Sequence, residues 1–366
     1  MAKYGLAFET MKQFSKINGS ESLYDLIVLL SGCKEFQDIL LRSNERKILN
    51  TLNKNKTKAT IRYPVSGKVN TPQLKINCII QAALGCLTIS EPSLNQDMTK
   101  IMKIGQRISK GLAEYLFIEI RGFKALLNAI TLAKCFHARL WENSKYVSRQ
   151  LEKIGAAFSD ILVNANITSF QAIEDTNPRE LEMILNRNPP FGSYIHDATC
   201  HLPKYEICIE QESKTLNNYL DIYVTVMLKN YKLLQEKHTA SSNHSCVLLV
   251  GDSDDNLILK QRVMDSTLIK MGQLMKKFQI QACKENMELK VYVISEHYVG
   301  LDKQITYKLH SGKFHEQKSH INKKNSNPGN SVVSMKKRKP YNNNNNNNKG
   351  NIFLNLLISD YFHLLK

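Results

Sequence analysis

The sequence lacks the short motifs that mark most enzymes. It has no G-x-x-x-x-G-K-[ST] phosphate-binding loop, because Ser66-Gly67-Lys68 has neither the upstream glycine nor the following hydroxyl residue. It also has no H-E-x-x-H pair, no acidic magnesium motif at a strand end and no recognisable Ser–His–Asp or Cys–His arrangement. The residues therefore predict no catalytic site and no metal site in this chain. They leave open whether the chain is part of a larger enzyme.

Paired cysteines are also missing. The eight cysteines are scattered over apolar segments, and none forms a C-x-x-C pair. This spacing excludes a cysteine zinc site and a disulfide framework. It is typical of buried, reduced thiols in an intracellular protein.

Long hydrophobic runs are absent as well. No run reaches the eighteen or so apolar residues that a membrane helix needs. Residues 351–366 are rich in apolar side chains, but the segment is short and Asp360 interrupts it. We therefore expect no membrane among the partners.

Acidic residues are few relative to basic ones. The 366 residues contain 50 Lys or Arg and 33 Asp or Glu, which gives a net charge of +17. Residues 303–350 hold eleven basic residues and one acid, Glu316, so this segment supplies ten of the net charges and the rest supplies seven. The excess points to a polyanionic partner or to an anionic surface. The hydrophobic content of 42% is sufficient for the cores of two or three domains.

Residues 16–145 are predicted to form an all-helical bundle with short loops. Helix starts are indicated at Ser20, at Ser43-Asn44 and at Thr71-Pro72, because Ser, Thr and Asn cap helices and Pro favours the first turn. Residues 122–141 carry the last apolar stripe of this unit. Residues 1–15 contain a short apolar set with nothing before it to pack on. We expect that the physiological chain begins earlier and that Met1 is an internal methionine.

The most informative stretch is a helix predicted over residues 97–120, capped by residues 95–97. Apolar residues recur along it at positions 101, 104, 108, 112 and 115. Four cations recur at the same spacing: Lys100, Lys103, Arg107 and Lys110. They fall within about 80° of arc, off the apolar stripe, and rise about 5 Å per turn. Phosphates along one strand have a comparable spacing, so this face either follows a nucleic-acid backbone or is an ordinary solvated face.

Residues 146–203 are predicted to form a second helical unit that contains a helix-hairpin-helix turn. Such a turn presents backbone N–H groups at a helix start to a phosphate. Ile154-Gly155 and the two alanines that follow fit its second half, while Lys153 stands where a first glycine is expected. A phosphate contact through Lys153 and Gly155 and a plain structural hairpin are both compatible with these residues.

Residues 204–310 are predicted to form a β-sandwich, because several short apolar segments lie between turn signals. The clearest is the continuous apolar run over residues 246–250. The acidic cluster at Asp252-Ser253-Asp254-Asp255 could hold a cation, but it lacks the calcium-loop spacing and its terminal Glu. A turn between strands is the preferred interpretation.

Residues 311–366 lose the apolar content and include seven consecutive asparagines at 342–348. This composition predicts a disordered basic tail. A compact basic cluster lies within it: Lys336, Lys337, Arg338 and Lys339. The cluster is interpreted as a nuclear import signal, a nonspecific nucleic-acid tail or an idle solubilising run.

The order of the units is the α+β multidomain arrangement of a known family. A helical bundle, a helix-hairpin-helix module and an immunoglobulin-like sandwich in succession resemble the SEC-sixty-three homology region that follows the motor of certain superfamily-two helicases. Five segments carry the resemblance: residues 23–39, residues 42–45, Ile80-Gln81-Ala82, the helix from Asp97, and Leu140-Trp141. Within the group, the chain is most similar to the meiotic crossover DNA helicases. Order and spacing support the match, which covers residues 1 to about 300.

The resemblance implies specific roles. Residues 1–15 would be the end of a winged-helix domain, and the helix over 97–120 would be the ratchet helix that touches the translocating strand. The chain would be the C-terminal accessory region of an ATP-dependent DNA helicase of meiotic recombination, in the nucleus. The ATP and Mg²⁺ of such a helicase would bind to a motor that this sequence lacks, so no cofactor is expected here.

The partners implied by the resemblance are single-stranded or branched DNA, the helicase motor domains and recombination proteins. Two alternatives stay open. The same domains could be a protein-binding scaffold without nucleic-acid contact, or they could be the accessory region of an RNA helicase.

Overall fold

The computed structural model describes residues 2–54, 60–119, 121–212, 219–281 and 287–309. Within these ranges the chain forms twelve α-helices and seven strands, all in one compact unit. The helices are α1 (Phe8–Phe14), α2 (Leu23–Ser31), α3 (Arg46–Leu52), α4 (Pro72–Leu84), α5 (Pro92–Ile118), α6 (Phe123–Ala138), α7 (Ala156–Asn164), α8 (Phe170–Asp175), α9 (Pro178–Leu185), α10 (Phe191–Cys200), α11 (Tyr231–Glu236) and α12 (Asp265–Met271). The strands are β1 (Tyr205–Glu212), β2 (Tyr219–Leu228), β3 (Ser245–Asp252), β4 (Leu257–Met264), β5 (Gln273–Gln281), β6 (Glu288–Ser295) and β7 (Lys303–Lys308).

Side-chain caps determine where several helices begin. Thr71 accepts a hydrogen bond from the backbone N–H of Leu74, with Pro72 in the first turn of α4, as predicted. The predicted cap at Ser20 is wrong, because Ser22 and Asp25 form a reciprocal capping box and α2 begins at Leu23. The cap predicted at residues 95–97 is also wrong, since α5 begins one turn earlier at Pro92.

The first hydrophobic core belongs to the helices up to Trp141. It includes Leu26 and Ile27 of α2, Ile79 of α4 and Ile108 of α5, all without solvent exposure. Phe14 of α1 is fully buried in the same core, so the apolar set at the start of the chain packs on the bundle. Burial of this apolar surface is the main force that holds the helices together.

Two antiparallel sheets follow the second helical segment. The strand order is β1-β2-β5 in the first sheet and β4-β3-β6-β7 in the second. The inward side chains of both sheets share one hydrophobic cluster with residues of α7 to α10. The described part of the chain therefore combines helices with antiparallel sheets, which confirms the predicted α+β class.

Strand β3 is buried on both faces, which explains its continuous apolar run. Leu248 and Val250 point into the core between the sheets, whereas Val247 and Leu249 belong to the core of the helical bundle. The second sheet thus lies between the first sheet and the bundle. Gly251 permits close contact there, because an added Cβ would lie 2.6 Å from the ring of Phe123.

The acidic cluster after β3 is a turn between strands, as the preferred interpretation stated. Asp252 accepts hydrogen bonds from the backbone N–H groups of Asp254 and Asn256, both at 2.8 Å. Asp255 accepts the backbone N–H of Phe123 on its carbonyl and that of Lys124 on its carboxylate. The cluster therefore caps the start of α6.

Seven of the cysteines lie in the described residues, and all seven are free. Four are buried, as expected, and Cys208 is exposed. Burial raises the pKa of the thiols of Cys33, Cys78 and Cys135 to about 12. None of the described helices combines the length and hydropathy that a passage through a bilayer would require.

Candidate nucleic-acid interface

Helix α5 is 27 residues long and positions the predicted row of cations. Its buried face includes the predicted positions Ile101, Ile108 and Leu112, while Ile104 and Tyr115 are only partly buried. Gly105 lets α6 approach closely, since a Cβ there would lie 2.3 Å from an atom of the Phe136 ring. The helix packs on its neighbour through this face, so the cationic side lies away from the core.

The first half of α5 is held by a buried ion cluster. Asp97 is 4% exposed, and its carboxylate lies 2.6 Å from Lys75 Nζ and 3.0 Å from Arg42 Nη1. Lys75 Nζ also contacts Glu45 Oε2 at 2.6 Å and the carbonyl of Leu40 at 2.7 Å. Burial alone would raise the pKa of Glu45, but hydrogen bonds from Lys75 and Arg42 lower it.

The C-terminal end of α5 is attached to the sheet. Glu114 forms an ion pair with Arg262 of β4 at 3.0 Å, and Lys260 of the same strand donates to the carbonyl of Phe117. The ammonium group of Lys260 and the guanidinium of Arg262 also lie over the Phe117 ring, at 5.0 and 5.2 Å from its centroid. A cation at the last carbonyls of a helix is favourable for the helix dipole.

The four predicted cations do not have the same environment. Lys100 and Lys103 are exposed, and in the described part of the chain no carboxylate lies within 4 Å of either ammonium group. Arg107 is exposed, but it donates to the carbonyls of Tyr4 and Gly5 at 3.1 and 2.8 Å. Lys110 is half-buried at the edge of a cleft. Two of the four cations are thus fully available to a strand.

The cleft beside Lys110 has a volume of about 340 Å³. It is bordered by Lys3, by Arg262 and by His297, which follows β6. Burial, together with the neighbouring His137, His244 and Lys110, lowers the pKa of His297 to about 4. Both His137 and His297 are therefore neutral at pH 7, since burial and Lys110 lower the pKa of His137 as well.

The predicted hairpin lies between a 3-10 turn at Val147–Gln150 and α7. Lys153 has a φ of +66°, so the position where a glycine was expected does have a left-handed backbone. This conformation costs a non-glycine residue about 1 kcal/mol. Gly155 precedes the first turn of α7, and an added Cβ there would meet nothing within 4 Å. The side chain of Lys153 lies over the ring of Tyr194, at 4.0 Å from the centroid.

The fold links the hairpin to the cleft through residues 296–302. The side chain of Gln150 exchanges two hydrogen bonds of 2.9 Å with the backbone of Val299. His297 of the same segment borders the cleft beside Lys110, and Asp302 pairs with the buried Lys134 of α6. One connection between strands therefore contacts the 3-10 turn before the hairpin and borders the cleft beside Lys110.

Arg187, which no sequence pattern indicated, lies close to the hairpin. Its guanidinium lies 4.7 Å from the ring centroid of Phe158, in the first turn of α7, and 5.9 Å from that of Phe191. The sequence gives no sign of its role, because a single arginine between two helices belongs to no repeating pattern of cations. Its exposure and its place beside the hairpin make it a further candidate cation.

The fold also assembles a Ser–His–Asp arrangement that the sequence did not reveal. His244 lies 2.6 Å from Asp265 Oδ2 and 3.0 Å from Ser295 Oγ. Ser295 has no solvent exposure and His244 only 1%, so no substrate can reach the hydroxyl. Ser295 also accepts the backbone N–H of Tyr298. The arrangement therefore connects the end of β6, the residue before β3 and the start of α12 through hydrogen bonds.

The remaining sequence features concern the basic tail and metal binding. The basic cluster at Lys336–Lys339 lies outside the described residues, as does the whole predicted tail. Among the described residues, no group of three or more His, Cys, Asp or Glu side chains is placed to hold a metal ion.

Comparison with known proteins identifies the chain's family. The family model of the Sec63 Brl domain matches residues 1–308. The chain belongs to the Sec63 family. This match confirms the resemblance to the SEC-sixty-three homology region that the order of the units and five segments of the sequence indicated.

Relatives of this Sec63 region include two vertebrate proteins and one plant protein. The probable ATP-dependent DNA helicase HFM1 of Xenopus tropicalis is 47% identical over 309 residues, or 84% of this chain and 23% of the relative. HFM1 of Homo sapiens is 47% identical over 304 residues, or 83% of this chain and 21% of the relative. The ATP-dependent DNA helicase MER3 homolog of Oryza sativa subsp. japonica is 32% identical over 314 residues, or 82% of this chain and 25% of the relative. The chain thus spans about a quarter of the length of these relatives, or less.

Proposed function

We propose that this chain is the C-terminal accessory region of an ATP-dependent DNA helicase of meiotic recombination, and that it binds single-stranded DNA beside the motor. The names of its relatives support the helicase assignment. The observation that carries the DNA contact is the arrangement of α5. The helix is anchored at both ends, and the face opposite its core presents Lys100 and Lys103 to solvent without an acidic partner in the described residues.

The proposed mechanism assigns a role to each unit. Helix α5 acts as the ratchet helix and follows the strand phosphates, and the hairpin at Lys153 and Gly155 guides the strand as a helix-hairpin-helix module. The two sheets, as an immunoglobulin-like sandwich, dock recombination proteins. Residues 1–15 form the end of a winged-helix domain. The motor, with its ATP and Mg²⁺, lies outside this chain and supplies the energy.

The proposal places the protein in the nucleus, where the basic cluster at Lys336–Lys339 would act as the import signal. Branched DNA is a further substrate, because it offers the same phosphates as a single strand and the contacts do not read the bases. For the same reason these contacts are weakly selective and strongly dependent on salt.

A binding titration tests the DNA contact. The protein is truncated after Lys313, which removes most of the basic tail, and titrated with a fluorescent oligothymidylate. At 0.1 M salt each lost phosphate contact removes about 0.7 decades of affinity, so the double variant K100Q/K103Q should bind at least roughly tenfold more weakly. The matched control is K47Q/K232Q, which removes two exposed lysines from α3 and α11.

Equal affinities for the two double variants would contradict the DNA contact and favour the protein-binding scaffold. Parallel titrations with an oligouridylate of the same length separate DNA from RNA. A strong preference for the RNA strand would favour the accessory region of an RNA helicase.

A further inference from the structure

The cleft at the C-terminal half of α5 has walls from four parts of the chain. Lys3 comes from the first turn, Lys110 from α5, Arg262 from β4 and His297 from the connection after β6. Its volume of about 340 Å³ is sufficient for a phosphate group and part of a sugar. Neither the mechanism proposed above nor the hairpin uses this space.

The charges of the cleft are unevenly paired. Arg262 contacts both acids of the cleft, Glu114 and Glu296, each at 3.0 Å. Glu114 lies four residues after Lys110, where an ion pair within the helix would ordinarily form, but its carboxylate is already bound to Arg262. Across the described residues, no carboxylate lies within 4 Å of Lys110 Nζ. Lys110 is half-buried and has no counterion among the described residues. An anionic ligand would supply that counterion.

Two imidazoles lie next to this lysine. The rings of His137 and His297 are 4.4 Å apart, and His137 Nδ1 lies 3.3 Å from the carbonyl of His297. Burial and the surrounding cations keep both rings neutral, so each carries a single N–H. His137 donates its N–H to the carbonyl of His297, whereas His297 borders the cleft and can donate its own N–H to a ligand oxygen. The side chains of Asn243 and Ser245 also border the cleft.

The pattern along α5 also indicates where a strand would leave the helix. Lys100, Lys103, Arg107 and Lys110 share one face, and Glu114 is the next residue on it. The row of cations on this face therefore ends at Lys110, because Glu114 is an acid that is paired with Arg262. The cleft opens at this point.

We propose that the cleft binds a phosphate group of the single strand that follows α5, with Lys110 as its counterion and the neutral imidazole of His297 as a hydrogen-bond donor. The inference rests on the proposed DNA contact for the source of the phosphate. It adds a defined binding site at the end of the cationic face, one that also reaches the hairpin through residues 296–302.

The test uses the full 366-residue chain and two probes. Inorganic pyrophosphate reports on the cleft alone, and oligothymidylate, with or without a 5′-phosphate, reports on the strand. We expect K110Q to weaken pyrophosphate binding about tenfold, K110R to restore it, and K47Q to leave it unchanged. NMR titration should show that pyrophosphate raises the pKa of His297, because a bound anion favours the charged imidazole.

The outcomes separate the two proposals. Equal pyrophosphate binding by K110Q and K47Q overturns the cleft site. If K100Q/K103Q weakens oligothymidylate binding but K110Q does not, the DNA contact stands and the cleft does not take the strand. If K110Q abolishes pyrophosphate binding while K100Q/K103Q leaves oligothymidylate binding unchanged, the proposed DNA contact fails and the cleft is a site for free phosphate. A gain in affinity from the 5′-phosphate that K110Q removes identifies the terminal group as the ligand; no such gain assigns an internal phosphate.

Discussion

The ammonium group of Lys75 lies 2.6 Å from the carboxylate of Asp97, and neither side chain is more than 6% exposed. Glu45 completes the cluster without exposure of its own. These three residues come from a short 3-10 turn, α4 and α5, so the ion cluster joins three elements at the start of the cationic helix.

Replacing Lys75 with Met should strongly destabilise the protein. The substitution leaves the carboxylates of Glu45 and Asp97 buried without the cation between them, and such a loss costs about 3 kcal/mol or more. The measurement is the free energy of unfolding from urea titration followed by circular dichroism. K47M, which removes an exposed lysine of α3, should change it by less than about 0.5 kcal/mol. Equal values for the two variants would show that the cluster is not a structural anchor.

Replacing Gly105 or Gly111 with Ala should affect the free energy of unfolding differently. Both glycines lie inside α5, where Ala favours the helix by about 1 kcal/mol. At Gly105 the new Cβ would lie 2.3 Å from the buried Phe136 ring, and overpacking of this kind costs about 2 kcal/mol. At Gly111 it meets the end of the half-buried Leu6 side chain, which can move.

We therefore expect G105A to lower the free energy of unfolding by about 1 kcal/mol and G111A to leave it unchanged or to raise it. Thermal or urea unfolding of the two variants decides the point. A stabilised G105A would mean that the two helices are not in close contact at this position.

The stability of the protein should decrease as the pH falls from 6.5 toward 4. An unfolded histidine takes up a proton near pH 6.5, whereas folded His297, whose pKa burial lowers to about 4, does not. The unfolded state therefore binds more protons in this window, and acidification favours it. After allowance for partial exposure of the ring, we expect a loss of about 2 kcal/mol from His297.

Urea titrations at several pH values measure this dependence. H297Q should flatten the curve between pH 6.5 and 4, while H238Q, at an exposed histidine of the segment after α11, should retain it. Parallel curves for the wild type and H297Q would refute the assignment.

Salt dependence should distinguish the two available lysines from other surface cations. For single strands, each lost phosphate contact reduces the slope of log affinity against log salt by about 0.7. K100Q/K103Q should therefore lower the slope by about 1.4, measured by fluorescence anisotropy between about 50 and 200 mM salt. The double control K47Q/K232Q should keep the wild-type slope. A uniform change in both variants would indicate binding by net charge alone.

Much of the local structure was predictable from the sequence. Thr71-Pro72 marks a real helix start, because capping depends on residues only two or three positions apart. The apolar run of β3 likewise predicted a buried strand, because the pattern lies within one short segment. The start of α5 was misplaced because Asp97, which resembles a cap in the sequence, is drawn into the helix by Lys75 and Arg42 from other parts of the chain.

The candidate site was likewise predictable only in part from the sequence. The spacing of Lys100, Lys103, Arg107 and Lys110 determines that they share one side of α5, since the helical period alone relates them. Whether each is available depends on residues more than a hundred positions away. Arg107 is occupied by the carbonyls of Tyr4 and Gly5, and Glu114, the natural partner of Lys110, is taken by Arg262.

The sequence by itself determined the family, the α+β class and the common direction of four positive charges. Only the tertiary structure decided that two of these charges have no acidic partner among the described residues, that one holds the start of the chain and that one borders a cleft lined by a neutral histidine. The physical reason is that periodicity operates within one element, while pairing and desolvation depend on which distant side chains the packed core brings into contact.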